Sequence, residues 1–437
     1  MGASATWIRC GTVSFDWTSF CAGISFLEEN LWLVKDELLI KERLAATSAI
    51  GPAWSVMGIY LVYQDLSPLS DREENGGRYP SFGRLLGISN TAECSDPRDK
   101  VYALVGLMSA AVADSMHPDY TLPVRHVYAA TARSFIQVDD NLEPIREGNP
   151  WGPSNAPSWA ADWLWMGRLR SSRTENQLWG PTRFFPRLEP NDSSHIPYCA
   201  SGGTSGFTID SISGLSARGK GYFYWDYDTI VQPCQWNSVY GDFDATAATL
   251  YRTLVLDRVA GGGKATARHA AIRHLPRTFR QGAQEFTKRG WGWLAGQEGY
   301  YFRWEGFRSM NASFELGCHR LDDFFRDEIP PDASELDYSE VYSCFDRASQ
   351  KRRFMTTTNG YMGWAPDNIY GKDSEQTRPG DMIAVLLGCS TPVVIRRYGP
   401  CGYFQVIGEA YVQGLMDGEA MELVNMGKLQ CARMTFC

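Results

Sequence analysis

The chain has 437 residues, a formal net charge of −8, 44% hydrophobic residues and 21% charged residues. Such a balance fits a globular protein of two or three domains whose core is large enough to hold without covalent staples. The acidic surplus, with no basic cluster of five or more, argues against a nucleic-acid partner, because phosphate recognition concentrates Lys and Arg.

Eleven cysteines are present, an odd number, and no two are spaced as Cys-x-x-Cys. Met1–Arg9 lacks the basic and apolar regions of a secretory signal. Reduced thiols in a cytosolic or nuclear protein are therefore expected, the cytoplasmic location being preferred. The longest apolar-rich stretch, 53–63, is too short for a bilayer, which takes about 20 residues, and reads as a buried helix. Met1–Thr6 fits the N-myristoylation pattern. One acyl chain without a polybasic patch binds only marginally, so no stable membrane anchor is expected.

Residues 1–139 read as a helical region. Leu27, Leu31, Val34 and Leu38 share one helix face. Asp96-Pro97-Arg98-Asp99 is a helix start: Asp96 to cap, Pro97 where a missing N–H costs nothing, and Asp99 at the positive end. Val101, Leu104, Val105 and Met108 follow as its buried stripe. Another helix is expected after Thr121, with Val124, Val127, Tyr128, Thr131 and Phe135 on one side. Residues 140–205 read as a Trp/Pro-rich connection pinned by Trp151, Trp159, Trp163, Trp165 and Trp179.

Residues 206–437 read as a β-domain with a helical insertion at about 243–339. Its strands are expected at about 205–232 and 340–425. Ala247, Leu250, Tyr251 and Leu254 mark a helix that Gly261-Gly262-Gly263 should stop. Asn359-Gly360 signals a hairpin in which both residues tolerate positive φ, and Gly399–Gly402 a second turn. The fold class is α+β: a helical N-terminal half beside a mostly antiparallel small barrel or sheet.

The chemical signals are weak. His117, His126, His195, His269, His274 and His319 form no zinc spacing, and the adjacent Cys318 and His319 point apart. Gly261-Gly262-Gly263-Lys264 lacks both the earlier glycine and the following Ser or Thr of a phosphate loop. No Gly-x-Ser-x-Gly elbow occurs. Asp417 and Glu419 place two carboxylates in a turn, for acid–base chemistry or, more simply, for side-chain bonds to backbone N–H groups. The charges at 96–100 read as local caps, and the tryptophans as core and loop anchors rather than a sugar-stacking surface. No catalytic, cofactor-binding or metal-ligating residue is assigned, and no cofactor is expected.

Several ordered segments resemble the heterokaryon incompatibility (HET) family of fungi. Asp96–Leu107 is similar to its DPRDKVYALLGL segment. Pro118-Asp119-Tyr120-Thr121 with Val127-Tyr128 resembles its PDYS…VY step, and Pro157–Trp163 its PSWxxDW element. Tyr251–Leu254 resembles a WRTL-like helix, and Arg353-Phe354 with Asn359–Gly363 an Arg/Phe/Gly hairpin. The Gly380–Glu419 tail completes the set, and Cys10-Gly11 with Trp17 looks like the strand and helix that follow the HET domain. Departures are visible too. The family's HET domain, similar to an α/β TIR-like fold, would precede residue 1, and its closing Arg-x-Trp-x-x-Gln-Glu motif is not found. The tail usually carries His where this chain has Gln413.

The resemblance implies self/non-self recognition and cell-death signalling. On it, the chain is expected to be a non-enzymatic regulatory or recognition part, binding related proteins and lacking the effector domain. The alternatives are an enzyme acting on a glycan or nucleotide through the β-domain, and a truncated, inactive gene product.

Overall fold

The computed structural model describes residues 7–16 apart from 11, isolated positions near 20, residues 79–165 apart from 91, and residues 202–437. Within the last span, 221–223, 226–229, 234, 259–262, 296–297, 368–375 and 401 are set aside. The expectations for Met1–Thr6, the Leu27–Leu38 face, the 53–63 stretch, Trp179 and His195 lie outside the described residues.

The chain opens with an antiparallel hairpin of β1 (Trp7–Cys10) and β2 (Val13–Asp16). Two helices dominate the next region, α1 (Phe82–Asn90) and α2 (Val124–Asp139). α2 starts directly after Pro123, where a missing N–H forfeits no helical bond, and ends at Asp140 with φ of 48°. Its Val127, Tyr128, Thr131 and Phe135 are buried, as their spacing predicts.

The Asp96–Leu107 segment works differently from a capped long helix. It forms one α-helical turn, Asp99–Tyr102, and a 3₁₀ turn, Val105–Leu107, neither with a side-chain cap. The Asp96 carboxylate instead accepts the Arg98 backbone N–H and ion-pairs with its guanidinium. Arg98 also donates to the carbonyls of Tyr120 and Leu122. Tyr102 donates to the Asp119 carbonyl at 3.0 Å, Tyr120 to the Asp99 carboxylate at 2.6 Å, and Tyr128 to the Pro97 carbonyl at 2.8 Å. Lys100 is buried and donates to the carbonyls of Ser89 and Ala92, at the open end of α1. The two sequence segments at 96–107 and 118–128 are thus a lock and its keeper.

The second half holds β3 (Gly202–Leu215), a short hairpin of β4 (Gly219–Lys220) and β5 (Tyr224–Trp225), and α3 (Phe243–Leu254). α4 (Phe279–Lys288), α5 (Glu298–Met310), a hairpin of β6 (Glu315–Leu316) and β7 (His319–Arg320), and α6 (Glu335–Ser349) follow. The chain then runs through β8 (Arg352–Thr357), β9 (Met362–Pro366), β10 (Met382–Leu386), β11 (Val393–Tyr398), β12 (Tyr403–Glu409) and β13 (Tyr411–Val412). α7 (Glu419–Asn425) and β14 (Ala432–Phe436) complete it.

Eight strands form one sheet in the order β10-β11-β12-β14-β3-β8-β9-β13. β10 also pairs with β3, which closes β10, β11, β12, β14 and β3 into a small barrel. All of the sheet's pairings are antiparallel except β12 with β14. Side chains alternate between two cores. Ile383, Val385 and Val394 point into the barrel, whereas Ala384, Leu386, Val393 and Ile395 pack on the N-terminal helices beside Val101, Tyr128 and Trp163. Coverage of both faces explains why residues 382–387 are an apolar run without polar alternation.

Trp159 and Trp163 are buried, and Trp163 meets Phe82 edge-on at 5.6 Å. Ser158 ties this stretch to the barrel: its N–H and hydroxyl donate to the Cys437 carbonyl, and its oxygen accepts the Val406 N–H at 3.0 Å. On the other side, the insertion packs its own core around Trp304, Phe307, Phe345 and Trp364. Trp364, on β9, donates to the Thr253 carbonyl of α3 at 2.7 Å.

Several expectations need correction. α6 occupies Glu335–Ser349, where strands were expected from 340. Tyr338, Val341, Tyr342, Phe345 and Ala348 are its buried face, a helical period, and Ser334 caps it by accepting the Asp337 N–H. α3 ends at Leu254, well before the triple glycine; Leu256 and Asp257 turn the chain with φ of 60° and 51°. At Asn359-Gly360 the connection is a four-residue loop, and only Gly360 has positive φ, +94°. A Cβ there would stand 1.8 Å from the Asn237 carbonyl oxygen, so Gly is required on two grounds. β14 was not anticipated at all.

Trp364→Ala should destabilise the protein by about 3–5 kcal/mol through the cavity it leaves. Trp364→Phe should cost about 1–2 kcal/mol, since it keeps a ring but removes one of the two donors to the buried Thr253 carbonyl, leaving the Leu256 N–H. Urea unfolding of the two variants checks the order; a Trp364→Phe variant as stable as wild type would mean that the indole N–H bond carries no weight.

Candidate functional site

The polar groups of the tail converge beside β13. The Gln413 N–H donates to the Met362 carbonyl at 2.9 Å. Tyr240 reaches in, donating to the Gln413 carbonyl at 3.0 Å and accepting the Met362 N–H at 2.9 Å. Tyr411 is buried, and its hydroxyl donates to the Gln413 side-chain oxygen. Burial pushes the Tyr411 and Tyr240 phenols well up, so both stay protonated donors. Gln413 therefore has a defined structural use as an acceptor.

Asp417 is the charged centre of this seam. Its carboxylate meets Arg258 at 2.8 Å and Lys264 at 2.7 Å, while its N–H donates to Glu419 at 2.8 Å. Burial alone would raise Asp417, yet Lys264 and Arg258 outweigh it and hold the carboxyl below the ordinary range. A general acid at neutral pH needs the opposite shift. The Asp417–Glu419 turn is thus a clamp on two cations. Lys264, the lysine of the glycine run, is spent there.

The other residues considered from sequence are not brought together. His117 and His126 are exposed on the helical side. His269 is buried and accepts the Thr266 N–H at 3.2 Å, and His274 meets the Glu328 carbonyl at 2.9 Å. His319 packs its ring on Phe243, while its neighbour Cys318 is exposed. Burial pushes the Cys344 thiol up and the Cys389 thiol up to about 12, which disfavours the nucleophilic thiolate. Among the described residues, no three His, Cys, Asp or Glu side chains gather as a metal site. Trp159, Trp163, Trp236, Trp304 and Trp364 are buried, which makes them anchors. Sequence reasoning missed Tyr240 and Arg258, and no local pattern marks either.

Asp417 stabilises the fold above its unfolded pKa, and this is lost as pH falls through its lowered folded value. Asp417→Asn should lower stability at pH 7 by about 0.5–1 kcal/mol, the small figure reflecting screening of a half-exposed group. The gap from wild type should close below about pH 4. Denaturant unfolding at stepped pH measures it; a gap that persists in acid would mean that the clamp is not electrostatic.

Two comparisons bear on this architecture. The family model described as the Het-6 beta-barrel domain matches residues 264–426. That span holds most of the insertion and β8–β13, whereas β3 and β14, which close the barrel, lie outside it. The chain is 25% identical over 376 residues to heterokaryon incompatibility protein 6, OR allele, of Neurospora crassa. The alignment covers 76% of this chain and 50% of that protein, so the chain spans about half the length of the curated relative it matches. No solved structure matches. Among the described residues, no helix is long and apolar enough to cross a membrane. The ordered segments, the barrel they build and these two matches make the chain similar to the heterokaryon incompatibility family, with residues 264–426 matching its Het-6 beta-barrel domain.

Proposed function

We propose that the chain acts in fungal self/non-self recognition as a regulatory or recognition part of a HET-family protein, working by binding a related protein in the cytoplasm rather than by turnover. The similarity to an incompatibility protein across 76% of the chain supports the biological setting. The observation that carries the mechanism is the use made of the family-like segments. Arg98, Tyr102 and Tyr120 lock the helical side, Ser158 staples it to the barrel, and Trp364 and Asp417 join the barrel to the insertion. These residues hold a rigid platform together, which is what a recognition surface needs. The effector activity that the resemblance assigns to the HET domain is not expected from this platform.

Expression of these 437 residues alone in a fungal host should leave growth unchanged, whereas co-expression with a full-length relative should alter the incompatibility reaction. Strong cell death from the chain alone would refute the reading. So would turnover of a glycan or nucleotide by the purified protein that a single substitution abolishes.

A further inference from the structure

The insertion contains an open cleft of 280 Å³ where the 3₁₀ segment Ala267–His274 faces the start of α6. Ala270, Ala271, Pro330 and Ala333 give it small apolar walls, which leave room instead of filling it. Most of its polar groups are already engaged. The Tyr251 hydroxyl donates to the Phe324 carbonyl, and His274 Nδ1 meets the Glu328 carbonyl. Tyr338 leans on the His274 carbonyl at 3.5 Å, and Asp337 faces Arg268 at 3.7 Å.

Two charges are left. Arg273 lines the cleft with its Nε buried, and among the described residues it makes no side-chain hydrogen bond and no ion pair. Its neighbours in the insertion differ: Arg277 pairs with Asp322, Arg289 with Glu285, Arg303 with Asp346, and Arg308 with Asp322 and Asp327. Asp332 lines the same cleft, is exposed, and has no ion pair among the described residues. A cation and an anion that share one cleft without reaching each other match a ligand carrying both signs. Asp332 and Asp337 would repel a phosphate dianion, whereas the planar Arg273 fork suits a carboxylate.

We propose that this cleft is a binding site for a small zwitterion, its carboxylate on Arg273 and its ammonium group on Asp332, the chemistry of a free amino acid or an oligopeptide. The site would give the recognition platform a small-molecule input, and it stands whether or not a protein partner is found.

Calorimetry on the intact chain tests it with L-alanine and with trialanine, against acetate and methylammonium as singly charged controls. Saturable binding of a zwitterionic probe, at least about ten-fold tighter than either control, is expected. Trialanine alone would identify a peptide, and L-alanine a free amino acid. Arg273→Ala and, at an exposed position that leaves the fold intact, Asp332→Asn should each weaken binding by about ten-fold or more. No saturable heat with either zwitterion up to about 10 mM, or full binding retained by Asp332→Asn, would overturn the proposal.

Discussion

A sheet covered on both faces is the constraint from which the rest of the molecule follows. β10 and β11 send alternate residues to opposite sides, so Ile383 and Val394 need a barrel interior while Leu386 and Ile395 need helices outside it. The N-terminal helices supply one cover. The insertion supplies another, over β8 and β9, where Phe354 and Trp364 meet Phe307 and Phe345. Neither cover is decoration, because each buries strand surface that would otherwise be wet and prone to association.

Several arginines share one use. Arg98, Arg353 and Arg396 each donate to backbone carbonyls that no regular structure satisfies, at Leu122, Ser216 and Gln376. Arg396 adds the buried Asp381, and Arg352 takes Glu409 at 2.5 Å. A five-donor fork joins irregular segments where a strand or helix cannot. Such forks hold irregular connections against the strands and helices they pass.

Much of this was legible in the sequence where local rules decide the outcome. α2, α3 and the hairpins at 358–361 and 399–402 follow from apolar spacing, caps and turn residues. Misreadings fell where a distant partner decides. Ala432–Phe436 has an exposed, polar start and becomes a strand because β3 lends it a ladder from Gly202 to Gly206. α6 was cut short because its polar face masked the period of its buried one. At the site, Asp417 and Glu419 were visible as carboxylates, but the Arg258 that fixes their meaning lies 159 residues away in the chain. The cleft at Arg273 left no sequence signal, since it is defined by a pairing that does not occur.

A cylinder of strands is only as tight as its shortest ladder. Here that ladder is the parallel contact of β12 with β14, registered through Phe404 and Phe436, where the Cys437 N–H donates to the Phe404 carbonyl. The opposite side of β14 is zipped to β3 over five residues. Any breathing of the cylinder would therefore start as a slit along β12, with β14 swinging away on β3 as a door does on its hinge. The Ser158 staple crosses that slit from Val406 to Cys437. Strain arriving from the helical side would accordingly be delivered to the one edge of the cylinder able to yield.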